Sequence, residues 1–230
     1  MPKAIILSGS GRYADPWHPF AETSPLLAGL AHDAGWDTEI RDDIDHCLAA
    51  GLDGIGLIIV NAGDPWHNLD PDHDEPADPE VIHVARAKLD AAFDRGISLL
   101  GVHCAAASLR DYPSYRAGLG GEWVPGQSWH PPRSLLHVRP LHDSIVEGLC
   151  NFTVDDERYS DLTIDPHTEP LLDVAGEDGD IVLGWARQHG SSKIVYDALG
   201  HDKASYDSCG HKSFLRRVMS WLAPHHQYDD

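Results

Sequence analysis

The chain has 230 residues with a hydrophobic fraction of 42% and seven tryptophans, which is enough apolar material for one large folded domain rather than a disordered chain. Its 37 acidic and 17 basic residues give a net charge of −20, so we expect no nucleic-acid partner and no membrane partner. Four scattered cysteines without a Cys-x-x-Cys pair, together with no signal-peptide pattern, predict a cytoplasmic protein.

The first half of the chain predicts strands and helices in alternation. Apolar runs at residues 4–7, 55–60 and 97–102 are typical of buried strands, and residues 38–41 are predicted as a further strand. Helical spacing predicts a helix over about 26–34 and another that begins at Asp78 and Pro79 and ends at Gly96. The implied order, β-α-β-α-β-α-β, predicts a parallel sheet with helices on both faces.

Two loops in this half do not carry a nucleotide or metal motif. The turn over 8–12 is rich in Gly and Ser, but it lacks both the G-x-G-x-x-G spacing and a Walker lysine. Residues 64–80 hold seven acids, four prolines and no Lys or Arg. That composition predicts a solvated loop whose acids face water.

The second half is richer in strands. Apolar runs predict them at residues 135–139, 152–154, 171–174, 181–186 and 193–198. A final helix is predicted over about 211–222, and residues 225–230 are expected to be a frayed tail. With no internal repeat and no linker-like segment, residues 1–224 are expected to form a single domain.

The segment Gly101-Val102-His103-Cys104 follows a predicted buried strand and opens a run of small residues. In α/β folds such a turn holds one side chain above the end of the sheet. The side chain at its tip is His103, whose protonation can change near neutral pH. The alternative is a packing turn beside which His103 is merely hydrogen-bonded.

Three more segments bring polar groups to predicted strand ends: Trp129-His130-Pro131, residues 155–159, and residues 196–202. Taken singly, His130 can be an ordinary loop residue, 155–159 a solvated charge run, and His201 a residue at a strand end without a ligand. Taken with His103, they predict a pocket of imidazoles and carboxylates at the carboxyl edge of the sheet, where open α/β folds bind ligands.

These motifs, in this order, resemble the trehalose-utilisation, or ThuA-like, family. The matching segments are 101–103, 115–121 followed by His130, 142–149, 152–159 and 198–202, and the resemblance extends over about residues 3–223. It implies a flavodoxin-like, class I glutamine amidotransferase-like fold, a three-layer α/β sandwich with a mostly parallel sheet. In amidotransferases a Gly-x-Cys turn presents the nucleophile, whereas His103 stands at that place here and Cys104 comes one residue late. Because adjacent side chains point in different directions, Cys104 is a poor nucleophile and glutamine hydrolysis is disfavoured.

The resemblance also implies a role in carbohydrate catabolism, with a sugar or 3-keto-sugar as the small-molecule partner. A ketone makes neighbouring C–H bonds acidic, so a base and an enolate stabiliser suffice for isomerisation or elimination. The residues expected to carry catalysis are His103 as acid or base, His201, Glu157 as a second base, and Tyr159 as a hydroxyl donor. The residues expected to bind substrate are His18, Trp129, Asp156 and Asp202, with Asp156 also open as the alternative to Glu157.

A divalent metal such as zinc or manganese is also considered, held by His130, His201 and Glu157, although the chain has no His-Glu-x-x-His helix. Indole rings of Trp17, Trp66 or Trp129 are candidates for stacking on a sugar. Two other functions stay open, a metal-assisted hydrolase of another small substrate and a non-catalytic sugar-binding protein. A homo-oligomer is left open as well.

Overall fold

The structure is a computed structural model that describes residues 1–64, 77–177 and 179–224. Most of the predicted acidic loop, including Trp66, and the predicted tail over 225–230 lie outside the described residues. Among the described residues, no helix combines the length and the apolar character that crossing a bilayer requires.

A nine-stranded sheet forms the centre of the protein, in the order β2-β1-β3-β4-β11-β10-β9-β6-β7. Its strands are β1 (Lys3–Ser8), β2 (Asp37–Arg41), β3 (Ile55–Asn61), β4 (Ser98–Val102), β6 (Ser134–Pro140), β7 (Phe152–Asp156), β9 (Glu169–Ala175), β10 (Asp180–His189) and β11 (Ser192–Asp197). The short strands β5 (Gly121–Glu122) and β8 (Thr163–Ile164) form a separate pair.

Five neighbouring strands, β2, β1, β3, β4 and β11, are parallel. Each of the other four, β10, β9, β6 and β7, is antiparallel to the strand before it in the sheet. Because the strand direction reverses at each antiparallel pairing, β9 and β7 run in the same direction as β1. The carboxyl ends of β1, β4, β7 and β11 therefore lie at one edge of the sheet. The loops that follow these four strands are the ones that can meet there.

Within the described part of the chain, five helices cover the sheet, namely α1 (Phe20–Asp33), α2 (Ile44–Ala50), α3 (Pro79–Asp94), α4 (Pro113–Leu119) and α5 (Cys209–Trp221). Helix α1 packs against α5, whereas α3 packs against α2 and α4. The chain moves outward from β1 to β2 and back across β1 to β3, so right-handed crossovers place α1 and α2 on opposite faces. Strand β4 lies between the helical layers and is buried at every residue.

The predicted α/β class with a mostly parallel sheet is confirmed, and each of the nine strands of the large sheet overlaps a predicted strand. Helix α1 begins six residues earlier than the predicted 26–34, and Pro25 lies inside it. Proline lacks the N–H that an interior position donates, which is why the sequence pattern places the start after it. The short elements α2, α4, β5 and β8 were not predicted individually.

A buried ion pair fastens α5 to the end of β11. Asp197, Ser205 and His211 are all 0% exposed. His211 Nε2 lies 2.7 Å from Asp197 Oδ2, and its Nδ1 lies 3.0 Å from the carbonyl oxygen of Ser205. Because both partners only accept, both ring nitrogens donate and the imidazole is charged. Burial lowers the pKa of His211, but the charge of Asp197 outweighs it and the net shift is upward.

Asp197→Asn is expected to lower the free energy of unfolding by about 3–5 kcal/mol, because it leaves a buried imidazole without its counter-charge. In the unchanged protein the contribution from His211 is full below its unfolded pKa of about 6.5 and is lost as the pH rises through the higher folded value. Denaturant titrations on both sides of that range measure this slope. The exposed His32→Asn variant should retain it, and an equal slope in Asp197→Asn would contradict the assignment.

Candidate functional site

Three histidines and one glutamate meet at the carboxyl edge of the sheet. His18 follows β1, His103 follows β4 directly, Glu157 follows β7, and His201 follows β11. One ligand atom from each of the four lies within 4.8 Å of all the others. The structure therefore brings together His103, Glu157 and His201, whose strand-end positions predict a common pocket, and His18, which was predicted to bind substrate there.

His103 is held by its backbone and by one ring nitrogen. Its φ of 50° is in the left-handed region, which is uncommon for a residue with a β-carbon and turns the side chain out of the strand direction. Its Nδ1 lies 2.7 Å from the carbonyl oxygen of Ala198, in the turn after β11. Since that carbonyl only accepts, Nδ1 carries a proton, and in the neutral tautomer the lone pair is therefore on Nε2. This Nε2 is buried and has no hydrogen-bond partner among the described residues.

His18 is held in the same way by Asp15, whose side chain is 1% exposed. The Nδ1 of His18 lies 2.7 and 2.9 Å from the two carboxylate oxygens, which leaves its Nε2 buried and without a hydrogen-bond partner among the described residues. Burial lowers the pKa of His18, and the neighbouring His103 and His201 lower it further. The neutral ring therefore presents a second Nε2 lone pair to the centre.

Glu157 lies between two imidazoles. Its Oε2 is 3.4 Å from His103 Nε2 and 3.4 Å from His201 Nδ1. Burial raises the pKa of Glu157, but these imidazoles outweigh it and hold the pKa well below its usual range. Burial lowers the pKa of His201, but Glu157 outweighs it and the net shift is upward. Both separations exceed an ordinary N–H···O hydrogen bond, so the atoms face one another without bonding.

Asp156, predicted to bind substrate, is instead a structural residue. Its carboxylate is fully buried and accepts hydrogen bonds from the backbone N–H groups of Glu157 at 2.8 Å, Gly200 at 2.7 Å and His201 at 3.3 Å. The carboxylate thus ties the end of β7 to the turn after β11. Its oxygens are therefore buried and already accept backbone hydrogen bonds.

Aromatic rings form one wall beside the centre. The ring of Tyr159 lies 4.3 Å from that of His103 and 4.7 Å from that of Trp123. Burial raises the pKa of Tyr159 well above its ordinary value, so its hydroxyl keeps its proton at neutral pH. Trp123 was not singled out in the sequence, because a tryptophan in a turn carries no signal of what it packs against.

His130, predicted as a metal ligand, lies at the outer side of the centre. Its side chain is 37% exposed, and its Nδ1 is 3.6 Å from Glu157 Oε1 and 3.1 Å from the carbonyl oxygen of Pro131. The compact group of four contains His18 and His103 and does not contain His130.

The other two predicted substrate ligands have protein partners. Asp202 pairs with Arg133, which also holds Asp155 through two contacts of 3.0 Å. Trp129 is 48% exposed and donates from Nε1 to Asp161 Oδ2 at 2.7 Å. The ion pair engages Asp202, whereas the hydrogen bond of Trp129 fixes its ring and leaves ring surface exposed. Trp17 is also exposed, at 51%.

A family model described as trehalose utilisation, ThuA, matches residues 4–222. The chain belongs to the ThuA family. The resemblance stated from the sequence motifs is confirmed. A carbohydrate-related role follows from the family, while the family match itself specifies no reaction.

Solved structures support the fold assignment. A ThuA-like protein from Parabacteroides merdae is 14% identical with a TM-score of 0.74, covering 96% of this chain and 89% of that one. A ThuA-like protein from Bacteroides uniformis is 16% identical with a TM-score of 0.71, covering 96% and 90%. PurLQS from Thermotoga maritima is 11% identical with a TM-score of 0.56, covering 96% and 99%. At these identities the likeness concerns the fold alone. The comparison with curated protein sequences gave no match.

Within this ThuA-family chain, Cys104 does not have the environment of a nucleophile. It is 5% exposed, and burial raises the pKa of its thiol well above the ordinary value. The reactive species in thiol chemistry is the thiolate, which this environment disfavours. His103, one residue earlier, follows β4 directly, and its Nε2 faces Glu157 at 3.4 Å.

The sequence reasoning missed Asp15 as the partner of His18. The two are three residues apart, and Asp15 also accepts the backbone N–H of His18 at 2.8 Å, so a local turn sets the pairing. An acid three residues before a histidine in the first βα loop was the available signal. It is a weak one, because this acidic chain has 37 such side chains.

Asp156→Ala is expected to lower the free energy of unfolding by at least about 2 kcal/mol, because it leaves buried backbone N–H groups without an acceptor. The matched control is Asp155→Ala on the same strand, where loss of a surface pair with Arg133 should cost only about 0–1 kcal/mol. Denaturant unfolding of both variants makes the comparison. Equal losses would show that Asp156 does not hold the two turns together.

Thiol titration of the native protein is expected to show two accessible and two protected cysteines. Cys150 and Cys209 are exposed, whereas Cys47 and Cys104 are buried. A disulfide reagent should therefore modify two thiols rapidly and the others only in denaturant. Fast modification of a third thiol that disappears in Cys104→Ser would contradict the assigned environment of Cys104.

Proposed function

We propose that this protein is an enzyme of carbohydrate catabolism that acts on a sugar or 3-keto-sugar through its histidine and carboxylate centre. The family match supports the carbohydrate class. The observation that carries an enzymatic role is the position of Glu157 Oε2, 3.4 Å from a nitrogen of both His103 and His201. Titratable groups placed this close at a sheet edge can transfer protons to and from one bound molecule.

The proposed reaction begins at a carbon next to the ketone of a 3-keto-sugar. A base removes the proton from that carbon, and the C–H electron pair moves into an enolate whose oxygen needs stabilisation. Transfer of the hydroxyl proton on the deprotonated carbon to the enolate oxygen, followed by protonation of the former carbonyl carbon, completes an isomerisation. Alternatively, the enolate electrons form a C=C bond while a C–O bond breaks, and the leaving oxygen takes a proton. Both outcomes need a base on one side and proton donors on the other.

In the proposed assignment His103 is the acid or base, acting through Nε2. Glu157 stabilises the positive charge that His103 gains on accepting a proton. His201, whose pKa is raised by Glu157, and the protonated hydroxyl of Tyr159 are the donors to developing negative charge on oxygen. The hydrogen bond from Nδ1 to Ala198 keeps the His103 ring oriented during the transfer.

Sugar binding is assigned to the exposed aromatic surface and to His18. Trp129 and Trp17 offer indole rings that can stack on a sugar, and Trp129 is fixed by its bond to Asp161. His18 contacts the rings of His103 and His201 at 5.0 and 4.9 Å, so a substrate at the centre would touch it. Asp156 and Asp202 are left out of this assignment because protein groups already occupy them.

A second candidate function is metal-assisted hydrolysis of another small substrate. The observation in its favour is that nitrogens of His18, His103 and His201 are buried without hydrogen-bond partners among the described residues. Such a hydrolase would ignore keto-sugars and lose its activity with a chelator.

The decisive test is NMR of the purified protein with 3-keto-disaccharides and with their parent sugars. Turnover of the keto-sugar alone is the expected result. His103→Gln and Glu157→Gln should each lower the rate by about 10²–10⁴-fold, the usual contribution of a general acid or base. His137→Gln, on an exposed position of β6, is the matched control and should keep the full rate.

His103 is buried and in the left-handed region, so its replacement can affect folding. Far-UV circular dichroism and the midpoint of thermal unfolding are therefore measured to check that the variants fold. No turnover of any sugar by the unchanged protein would overturn the proposal. Full activity in Glu157→Gln would overturn the assigned roles while leaving the substrate class.

A further inference from the structure

The four side chains of the centre have the donor set and the spacing of a metal site. We propose that the centre binds one divalent transition-metal ion of the zinc class, with ligands from His18, His103, Glu157 and His201. This inference rests on the proposed function in that it takes the same centre as the reactive one. It changes the ligands expected from the sequence, because His18 and His103 replace His130.

The hydrogen bonding of the histidine nitrogens supports a metal site. Nε2 of His18, Nε2 of His103 and Nδ1 of His201 are buried and lack a hydrogen-bond partner among the described residues. A buried nitrogen left without a partner is unfavourable, so three of them in one compact group call for a common partner. Two of the three carry lone pairs, since Asp15 and Ala198 hold the protons on the opposite ring nitrogens.

The distances between the ligand atoms also fit a metal site. A zinc ion binds imidazole nitrogen and carboxylate oxygen at about 2.0–2.2 Å, and tetrahedral geometry then separates the ligand atoms by about 3.4 Å. Glu157 Oε2 lies 3.4 Å from His103 Nε2 and 3.4 Å from His201 Nδ1. The largest separation within the group is no more than 4.8 Å, so all four ligand atoms lie near the spacing that one ion requires.

The groups that hydrogen-bond the ligand residues also fit a metal site. A metal-binding histidine usually donates its other N–H to a carboxylate or a backbone carbonyl, which fixes the tautomer and the ring. His18 has the carboxylate of Asp15 in that place, and His103 has the carbonyl of Ala198. Asp156 positions Glu157 and His201 by binding their backbone N–H groups. These partners orient the ligands without contacting the ion.

The donor set selects among ions. Three imidazoles and one carboxylate suit zinc and neighbouring first-row ions, whereas calcium and magnesium prefer an all-oxygen shell. The side chains of His18, Glu157 and His201 are 11, 13 and 14% exposed, so the ion would have a side open to a substrate oxygen. There it would act as a Lewis acid on a ketone or enolate oxygen, with Tyr159 and His130 beside it but outside the ligand set.

The test is a titration of the full chain, first treated with a chelator and dialysed, with Zn²⁺ by calorimetry and with Co²⁺ by visible absorption. One tight equivalent of Zn²⁺ and a Co²⁺ spectrum of tetrahedral or five-coordinate form are expected. His18→Gln and Glu157→Gln should weaken binding by more than the ~10–100-fold typical of outer contacts, and Asp15→Asn should weaken it within that range. His130→Gln and the exposed His137→Gln should bind as the unchanged protein does.

Two results would overturn the inference. One is the absence of a tight equivalent, and the other is a tight equivalent that persists in both His18→Gln and Glu157→Gln, which would place the ion elsewhere on this acidic, histidine-rich chain. Turnover of a keto-sugar by protein that binds no tight equivalent of Zn²⁺ would overturn the inference and leave the proposed function. Tight binding at the centre without turnover of any sugar would support the inference and overturn the proposed function.

Discussion

The buried carboxylate of Asp156 is the constraint on which the geometry of the centre depends. It accepts backbone N–H groups from Glu157, Gly200 and His201, and so joins the ends of β7 and β11. These two strands are separated in the sheet by β10, β9 and β6, so the sheet alone does not bring their ends together. The Glu157 and His201 side chains face each other because their backbones share this one acceptor.

The turn after β11 is shaped to permit that contact. Gly200 has a φ of 121°, and a β-carbon there would lie 2.7 Å from the Val102 side chain. Glycine is therefore required both for the backbone conformation and for the close approach to β4. The same turn supplies the Ala198 carbonyl that orients His103. One tight turn thus positions two of the four side chains of the centre.

Two histidine–carboxylate pairs in this protein show how structural and reactive groups differ. His211 is sealed, and both of its nitrogens have acceptors at hydrogen-bond distance. His103 is almost as buried, yet its Nε2 faces Glu157 at a distance too long for a hydrogen bond. Burial alone therefore does not separate the two roles. The two histidines differ in hydrogen bonding, because the Nε2 of His103 has no hydrogen-bond partner among the described residues.

The sequence predicts the sheet better than it predicts the centre. Long apolar runs are a strong signal, because a strand covered on both faces has few alternatives to being apolar, and β3 and β4 follow that pattern. Positions at strand ends also identify His103, Glu157 and His201. The roles of Asp155, Asp156 and Glu157 could not be separated, because three consecutive acids differ only in which way each points. Alternation along β7 turns Asp156 inward and Asp155 outward, and that register is set by pairing with β6.

The centre admits two roles for His103 that exclude each other at one atom. Its Nδ1 proton is committed to Ala198, so Nε2 can accept a proton from a substrate or bind a cation, but it cannot do both at once. If a cation is bound, proton transfer passes to groups outside the ligand set, and Tyr159 is the nearest candidate because its ring lies 4.3 Å from that of His103. If no cation is bound, Glu157 is left to balance the charge on His103. The occupancy of this one nitrogen therefore decides which side chains perform acid–base chemistry in this ThuA-family protein.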